Sequence, residues 1–279
     1  MMQGLPPTLP EGAEILQAGG RGGTGNILYL FRNTRPPVVL KVYRARRSRL
    51  NEFLKNFSER HLEGKRGATA VIRCATEKLN IDLWTNEGID VVRRVEQPLP
   101  AGVLPPALWL EYCAGPVLWD VLADAQRSTP TKLTLVESLG LSLSRRHTRA
   151  MELQEPLLVH EHGQIKHFFV QGDRLVAFDL EHGFGPGYPV VKAVAREVSG
   201  IAYSLTRADE TMAEQFLRAF AAGYANKPLL KQVVVEATRG GGFAGRIRRW
   251  REGKRDSGYD KPRVMERFEE LLELGSARH

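Results

Sequence analysis

The stretch HEHGQIKHFFVQGDRLVAFDLEHG, from His160 to Gly183, holds four of the chain's seven histidines and sets Asp179 at the end of an apolar run. Imidazole and carboxylate at this spacing can do two kinds of chemistry. One is proton transfer at His162, because an unperturbed imidazole titrates near pH ~6.5. The other is cation binding, with His167 and Asp179 sharing a metal and Glu181 adding an oxygen. Imidazole in the set favours Mn²⁺, Zn²⁺ or Fe²⁺, whereas Mg²⁺ prefers oxygen ligands. The plain alternatives are a structural His162, a turn-capping Asp179 and a surface His182. A metal-dependent hydrolase is the weakest reading, because the His-x-His-x-Asp and His-Glu-x-x-His spacings are absent.

Gly20, Gly22 and Gly25 form a Gly-x-Gly-x-x-Gly pattern, which alone is weak. A dinucleotide site needs a helix after the glycines, and here an apolar strand follows, NILYLF. No Gly-Lys-Ser/Thr follows either, which excludes a P-loop. Sixteen residues after Gly25, Lys41 stands in the strand-like VVLKVYR. Small residues let backbone N–H groups approach phosphates, and an ammonium on the next strand can neutralise their oxygens. The alternative is a glycine-rich hairpin with a surface lysine. An acidic partner for Lys41 is expected on a helix, with Glu77 the best placed and Glu59 and Glu63 as alternatives.

The elements that must position these groups follow from pattern. Short strands are predicted at 14–18, 26–31 and 38–44, then helices over 48–62 and 68–86. In the second helix Ile72, Ala75, Leu79 and Leu83 recur at helical spacing, and Gly88 stops it. IDVVRRV and ALWLEYC read as further strands. Helices are predicted over 117–126 and 131–150, then a hairpin of HFFV and RLVAF joined by QGD. Helices over 190–206, 209–224, 227–238 and 262–274 complete the chain, with TRGGGFAG as a joint. Strands first and helices afterwards argue an α+β class with two lobes. The division is expected at EYCAGP, giving residues 1–113 and 114–279.

On these residues the chain resembles the protein-kinase-like superfamily, in its lipopolysaccharide core (Kdo/heptose) kinase branch. The resemblance runs from Gly20 to about Leu205 and rests on LKVYRARRSRLNEFLKNFSERHLEGKR, IRCATEKLNIDLW, EGIDVV and LWLEYCAGPVLWDVL. It implies a two-lobed fold, with an antiparallel sheet plus helix first and a mostly helical lobe second. It implies ATP with Mg²⁺ or Mn²⁺, held by Gly20, Gly22, Gly25 and Lys41, with Glu77 orienting the lysine. Backbone groups from Glu111 to Cys113 would meet adenine, and Asp179 would hold the metal. The family's catalytic loop reads His-x-Asp-x-x-x-x-Asn. Here His160 matches the leading histidine, His162 stands at the catalytic Asp position and His167 at the metal-binding Asn position. The implied activity is phosphoryl transfer to a sugar, glycolipid or other small hydroxyl acceptor. The altered loop keeps a second reading open, a pseudokinase acting as a nucleotide-binding regulatory module.

Composition bounds both readings. The chain has 279 residues, 42% hydrophobic, and no apolar run long enough to span a bilayer. The N-terminal residues lack the basic and apolar regions of a signal peptide, so a cytoplasmic location is expected. Cys74 and Cys113 are the only cysteines, which suits a reducing compartment and excludes a disulfide framework. Net charge is +8, concentrated in KVYRARRSR and RIRRWREGKR. These segments could meet an anionic membrane surface or simply face solvent. No zinc knuckle or aromatic-basic stripe supports nucleic-acid binding.

Overall fold

The computed structural model describes residues 9–18, 25–44, 66–67, 69–239 and 261–276. Gly20, Gly22, Glu59, Glu63, the helix expected over 48–62 and most of both basic segments lie outside the described residues. The chain divides into two compact units: Met1–Ala114 with Phe178–Pro186, and Gly115–Ala177 with Gly187–His279. The short segment carrying Asp179 is thus part of the first unit.

Among the described residues, the first unit is an antiparallel meander with a long helix. Strands β1 (Glu14–Gln17), β2 (Ile27–Phe31), β3 (Val38–Val42) and β4 (Ala107–Glu111) lie in the order β1-β2-β3-β4. Strand side chains alternate between faces. One face carries Ile27, Tyr29, Val38, Leu40 and Trp109, which form the unit's apolar core together with Ala13. Phe31 packs edge-on against Trp109, with ring centroids 4.9 Å apart. The same alternation sends Lys41 and Tyr43 to the opposite side of the sheet.

Helix α1 (Ala70–Asn86) starts at Thr69, whose hydroxyl accepts from the Ile72 N–H. Its buried residues are Arg73, Thr76, Glu77, Asn80, Ile81 and Trp84. The apolar residues that signalled the helix lie elsewhere: Ala75 and Leu79 are exposed, and Ile72 and Leu83 are half-buried. A polar face goes inward because Arg73, Glu77 and Asn80 bond to Asn26, Lys41, Tyr43 and the Leu180–His182 segment, which removes the penalty for burying them.

IDVVRRV does not form the expected strand. It meets β4 through two backbone bonds, Val95 N–H to Trp109 O and Glu111 N–H to Arg93 O. Pro98 and Pro100 follow, and proline has no N–H with which to extend a ladder.

The second unit is mostly helical. It contains α2 (Leu118–Ala123), α3 (Thr129–Leu153), the hairpin β5 (Phe168–Gln171) and β6 (Arg174–Ala177), then α4 (Val190–Ala208), α5 (Ala213–Gly223), α6 (Lys227–Arg239) and α7 (Lys261–Ser276). The class is α+β, with an antiparallel sheet plus helix in one unit and helices dominating the other. No helix among the described residues is long and apolar enough to cross a membrane.

The loop from His160 to Gly163 is seated on α4. A Cβ built on Gly200 would lie 2.2 Å from the Gly163 carbonyl oxygen, and one on Gly163 would lie 2.4 Å from Glu197 Cγ. Only glycines permit that approach.

Candidate active site

Strand period places Lys41 and Tyr43 on one side of β3, and helix period places Arg73, Glu77 and Asn80 on one side of α1. These two rows meet around a single acidic group. Lys41 Nζ donates to Glu77 Oε2 and to Asp179 Oδ1, each at 2.7 Å, and lies 3.3 Å from Glu181 Oε2. The Tyr43 hydroxyl donates to the same Glu77 oxygen at 2.5 Å. Glu77 is thus a helix carboxylate that pairs with Lys41, beside Asp179 and Glu181.

Arg73, one helical turn before Glu77, is fully buried. Its Nη1 donates to both Glu181 oxygens at 3.1 Å and to Asn26 Oδ1 at 2.7 Å. Its Nη2 donates to the Arg44 carbonyl at 2.5 Å. Asn26 also donates from Nδ2 to Glu181, through a short hydrogen bond. Asn26 directly follows Gly25, whose φ of +103° lies in the region that favours glycine. Arg73 thus joins the end of the glycine loop, the end of β3 and the Asp179–Glu181 segment. Sequence reading missed both Arg73 and Asn26. Their signal was a charged residue four positions before Glu77 and an amide directly after the last glycine.

Asn80 holds the same segment by its backbone, donating to the Leu180 carbonyl at 2.8 Å and to the His182 carbonyl at 3.4 Å. Asp179 itself adopts φ +63°, a left-handed conformation that Asp tolerates better than most residues. His182 is buried rather than a surface residue, with Nε2 3.6 Å from Glu181 Oε1.

The electrostatics follow from burial and pairing. Burial favours a neutral Lys41, but Asp179, Glu77 and Glu181 outweigh it and hold the ammonium above its ordinary range. Burial raises the Glu77 carboxyl; Lys41 opposes that rise, and Asp179 and Glu181 add to it. Burial, then Glu77, pushes the Tyr43 phenol well up, so it remains an O–H donor. Among the described residues, two cations, Lys41 and Arg73, pair with the three carboxylates Glu77, Asp179 and Glu181.

Glu77, Asp179 and Glu181 each offer an oxygen within 4.8 Å of the others. An all-oxygen set fits Mg²⁺ or Mn²⁺. Asp179 is the half-exposed member, its side chain 37% accessible, and is the residue a cation would meet from solvent.

The predicted adenine contacts sit at the end of β4. The Glu111 N–H is taken by the Arg93 carbonyl, and its carboxylate accepts from the Arg93 N–H at 3.0 Å. Cys113 is buried. His160, His162 and His167 belong to the second unit. There His167 Nδ1 lies 2.8 Å from the His162 carbonyl, and its ring stacks on His160 at 5.1 Å. With Nδ1 donating to a carbonyl, Nε2 is the nitrogen His167 would offer a metal.

No model of a known protein family matches the chain, and no curated protein matches it. Among solved structures, the chain is similar to a candidate aminoglycoside phosphotransferase of Ralstonia eutropha, with 12% identity and a TM-score of 0.39. That likeness covers 95% of this chain and 93% of the other.

Proposed function

We propose that the chain is a protein-kinase-like, ATP-dependent phosphotransferase acting on a hydroxyl of a sugar, glycolipid or other small acceptor. The observation that carries this is Lys41, bonded at 2.7 Å to both Glu77 and Asp179 on the strand after a glycine-rich hairpin. In this reading Lys41 neutralises the α and β phosphate oxygens, and Glu77 and Tyr43 hold its ammonium in place. Glycines 20, 22 and 25 line the triphosphate, and Glu111 to Cys113 receive the adenine. Asp179, with Glu181 beside it, would hold Mg²⁺ or Mn²⁺. When bound, the metal neutralises charge on the transferring phosphoryl group. His162 takes the place of the usual aspartate as proton acceptor. The basic segments would draw an acidic glycolipid or an anionic membrane surface.

The test is ADP release by the purified protein with ATP, Mg²⁺ or Mn²⁺, and a panel of sugar and glycolipid acceptors. Wild type should release ADP, and both Lys41→Ala and chelation of the metal should abolish it. Equal release from wild type and Lys41→Ala would overturn the reading.

A second reading is favoured by the histidines at positions 162 and 167, where the resembling family has Asp and Asn. A general base is worth ~10²–10⁴-fold. Without one, the same cluster could bind nucleotide and turn it over too slowly to matter. A pseudokinase shows a thermal shift with ATP, no ADP with either metal, and no functional response to His162→Ala.

A further inference from the structure

Asn26 stands between the last glycine of the loop and the first residue of β2. Its side chain bridges two buried groups of opposite charge. Oδ1 accepts from Arg73 Nη1 at 2.7 Å, and Nδ2 donates to Glu181 Oε2 through a short hydrogen bond. A guanidinium only donates and a carboxylate only accepts, so the group between them must do both. An amide carries an acceptor and a donor on one carbon, and these partners settle which end is which. Asn26 and Glu181 are 155 positions apart in sequence, and both belong to the first unit.

Helix α1 already sets where the Glu181 segment lies. Asn80 donates to the carbonyls of Leu180 and His182, which fixes the backbone before and after Glu181. Arg73 donates to both Glu181 oxygens at 3.1 Å and is itself fixed by the Arg44 carbonyl at 2.5 Å. Asn26 adds the contact from the side of the glycine loop. Being neutral, it is not a counter-charge. Removing it leaves the pairs of Glu181 with Arg73 and with Lys41 in place. What goes is the tie between loop and carboxylate.

We propose that Asn26 is a positioning residue, tying the end of the glycine loop to the Glu181 carboxylate so that the loop and the cation-binding oxygens keep one spacing. The consequence for the cation rests on the phosphotransferase reading; the tie does not. In that reading the loop lines the triphosphate while Asp179 and Glu181 hold its metal. The amide then fixes the spacing of two groups that grip one metal–nucleotide complex. Groups that orient a metal-ligating carboxylate typically change metal affinity by about 10- to 100-fold when removed.

Two measurements on the full chain test this. In the metal-free protein with nitrogen-15 in its asparagine side chains, the Asn26 amide signals, assigned by their loss in Asn26→Leu, should move in Glu181→Gln. Unmoved signals overturn the tie and the proposal with it. Titration with Mn²⁺ alone, read by the electron paramagnetic resonance of the free ion, should give a Kd about 10- to 100-fold weaker in Asn26→Leu than in wild type. A side chain that only stabilises the fold would leave Kd alone at temperatures where both proteins are folded. With ATP and acceptor, Asn26→Leu should need more Mn²⁺ for half-maximal ADP release by the same factor, and should recover the wild-type kcat at saturating Mn²⁺. Equal Mn²⁺ affinity and equal Mn²⁺ requirement overturn the proposal and leave the phosphotransferase reading standing. A wild type that binds no Mn²⁺ and releases no ADP sinks that reading, and the amide signals still decide the tie. If Asn26→Leu does not fold, Asn26→Ser, whose side chain has no amide to bridge the two groups, takes its place in both measurements.

Discussion

Lys41 Nζ and Asp179 Oδ1 are 2.7 Å apart, although the two residues are 138 positions apart in sequence. The ammonium is the shared counter-charge of Asp179, Glu77 and Glu181. Lys41→Met should therefore strand buried carboxylates and cost about 3–5 kcal/mol at neutral pH. Because a protonated carboxyl needs no counter-ion, that deficit should shrink as pH falls. Urea unfolding of wild type and variant at pH 7 and pH 5 reads it. A deficit that grows toward acid would contradict the pairing.

Arg73 and Glu181 form the second buried pair, and the fork geometry is what fits. A lysine has no planar fork and cannot reach Glu181, Asn26 and the Arg44 carbonyl together. Arg73→Lys and Arg73→Met should both destabilise, the latter by about 3–5 kcal/mol. Replacing both partners, Arg73→Met with Glu181→Met, should recover part of the loss, because Glu181 is no longer left buried without its guanidinium. A double-mutant cycle measures this. Strict additivity would show that the pair is not coupled.

The sequence made the sheet readable because β2 and β3 carry β-branched and apolar runs between turns, and Lys41 breaks such a run at a strand centre. Glu77 was legible from its place on a helix before Gly88. The inward face of α1 was not legible. Apolar spacing at Ile72, Ala75, Leu79 and Leu83 marks a helix, but Arg73, Glu77 and Asn80 are the residues turned inward. Periodicity reports hydrophobicity, and here the buried face is a hydrogen-bonded polar one, whose partners lie 36 positions away for Glu77, 100 for Asn80 and 108 for Arg73.

Gly200 and Gly163 hold the histidine loop against α4. Gly200→Ala drives a methyl to 2.2 Å from a backbone oxygen, which no side-chain movement relieves. The loop or the helix must shift, at a cost of about 1–3 kcal/mol. Because the displaced loop carries His162, ADP release should fall more than stability alone explains at temperatures where the variant is fully folded. A variant with wild-type Tm and rate would show that the contact is not made.

Glu197 gives the molecule an acid sensitivity of defined sign. Burial alone would raise its carboxyl, but Arg146 and then His147 reverse that and hold it down at about 2. A depressed carboxyl contributes stability that is complete above the unfolded value near ~4.5 and is lost as pH falls toward the folded one, about 3 kcal/mol in all. His147 adds an earlier loss. Burial lowers its imidazole, so the folded state holds it neutral while the unfolded chain takes up a proton below pH ~6.5. Unfolding free energy should therefore decline in two stages, first below pH ~6.5 and again below ~4.5. His147→Gln should remove the first stage and leave the second. Glu197→Gln should be less stable at neutral pH, because Arg146 is left buried without its counter-charge. Its curve should approach that of wild type in acid, where wild type loses the same charge. Urea midpoints from pH 7 to 2.5 read all three proteins, and parallel curves for wild type and Glu197→Gln would contradict the depressed carboxyl.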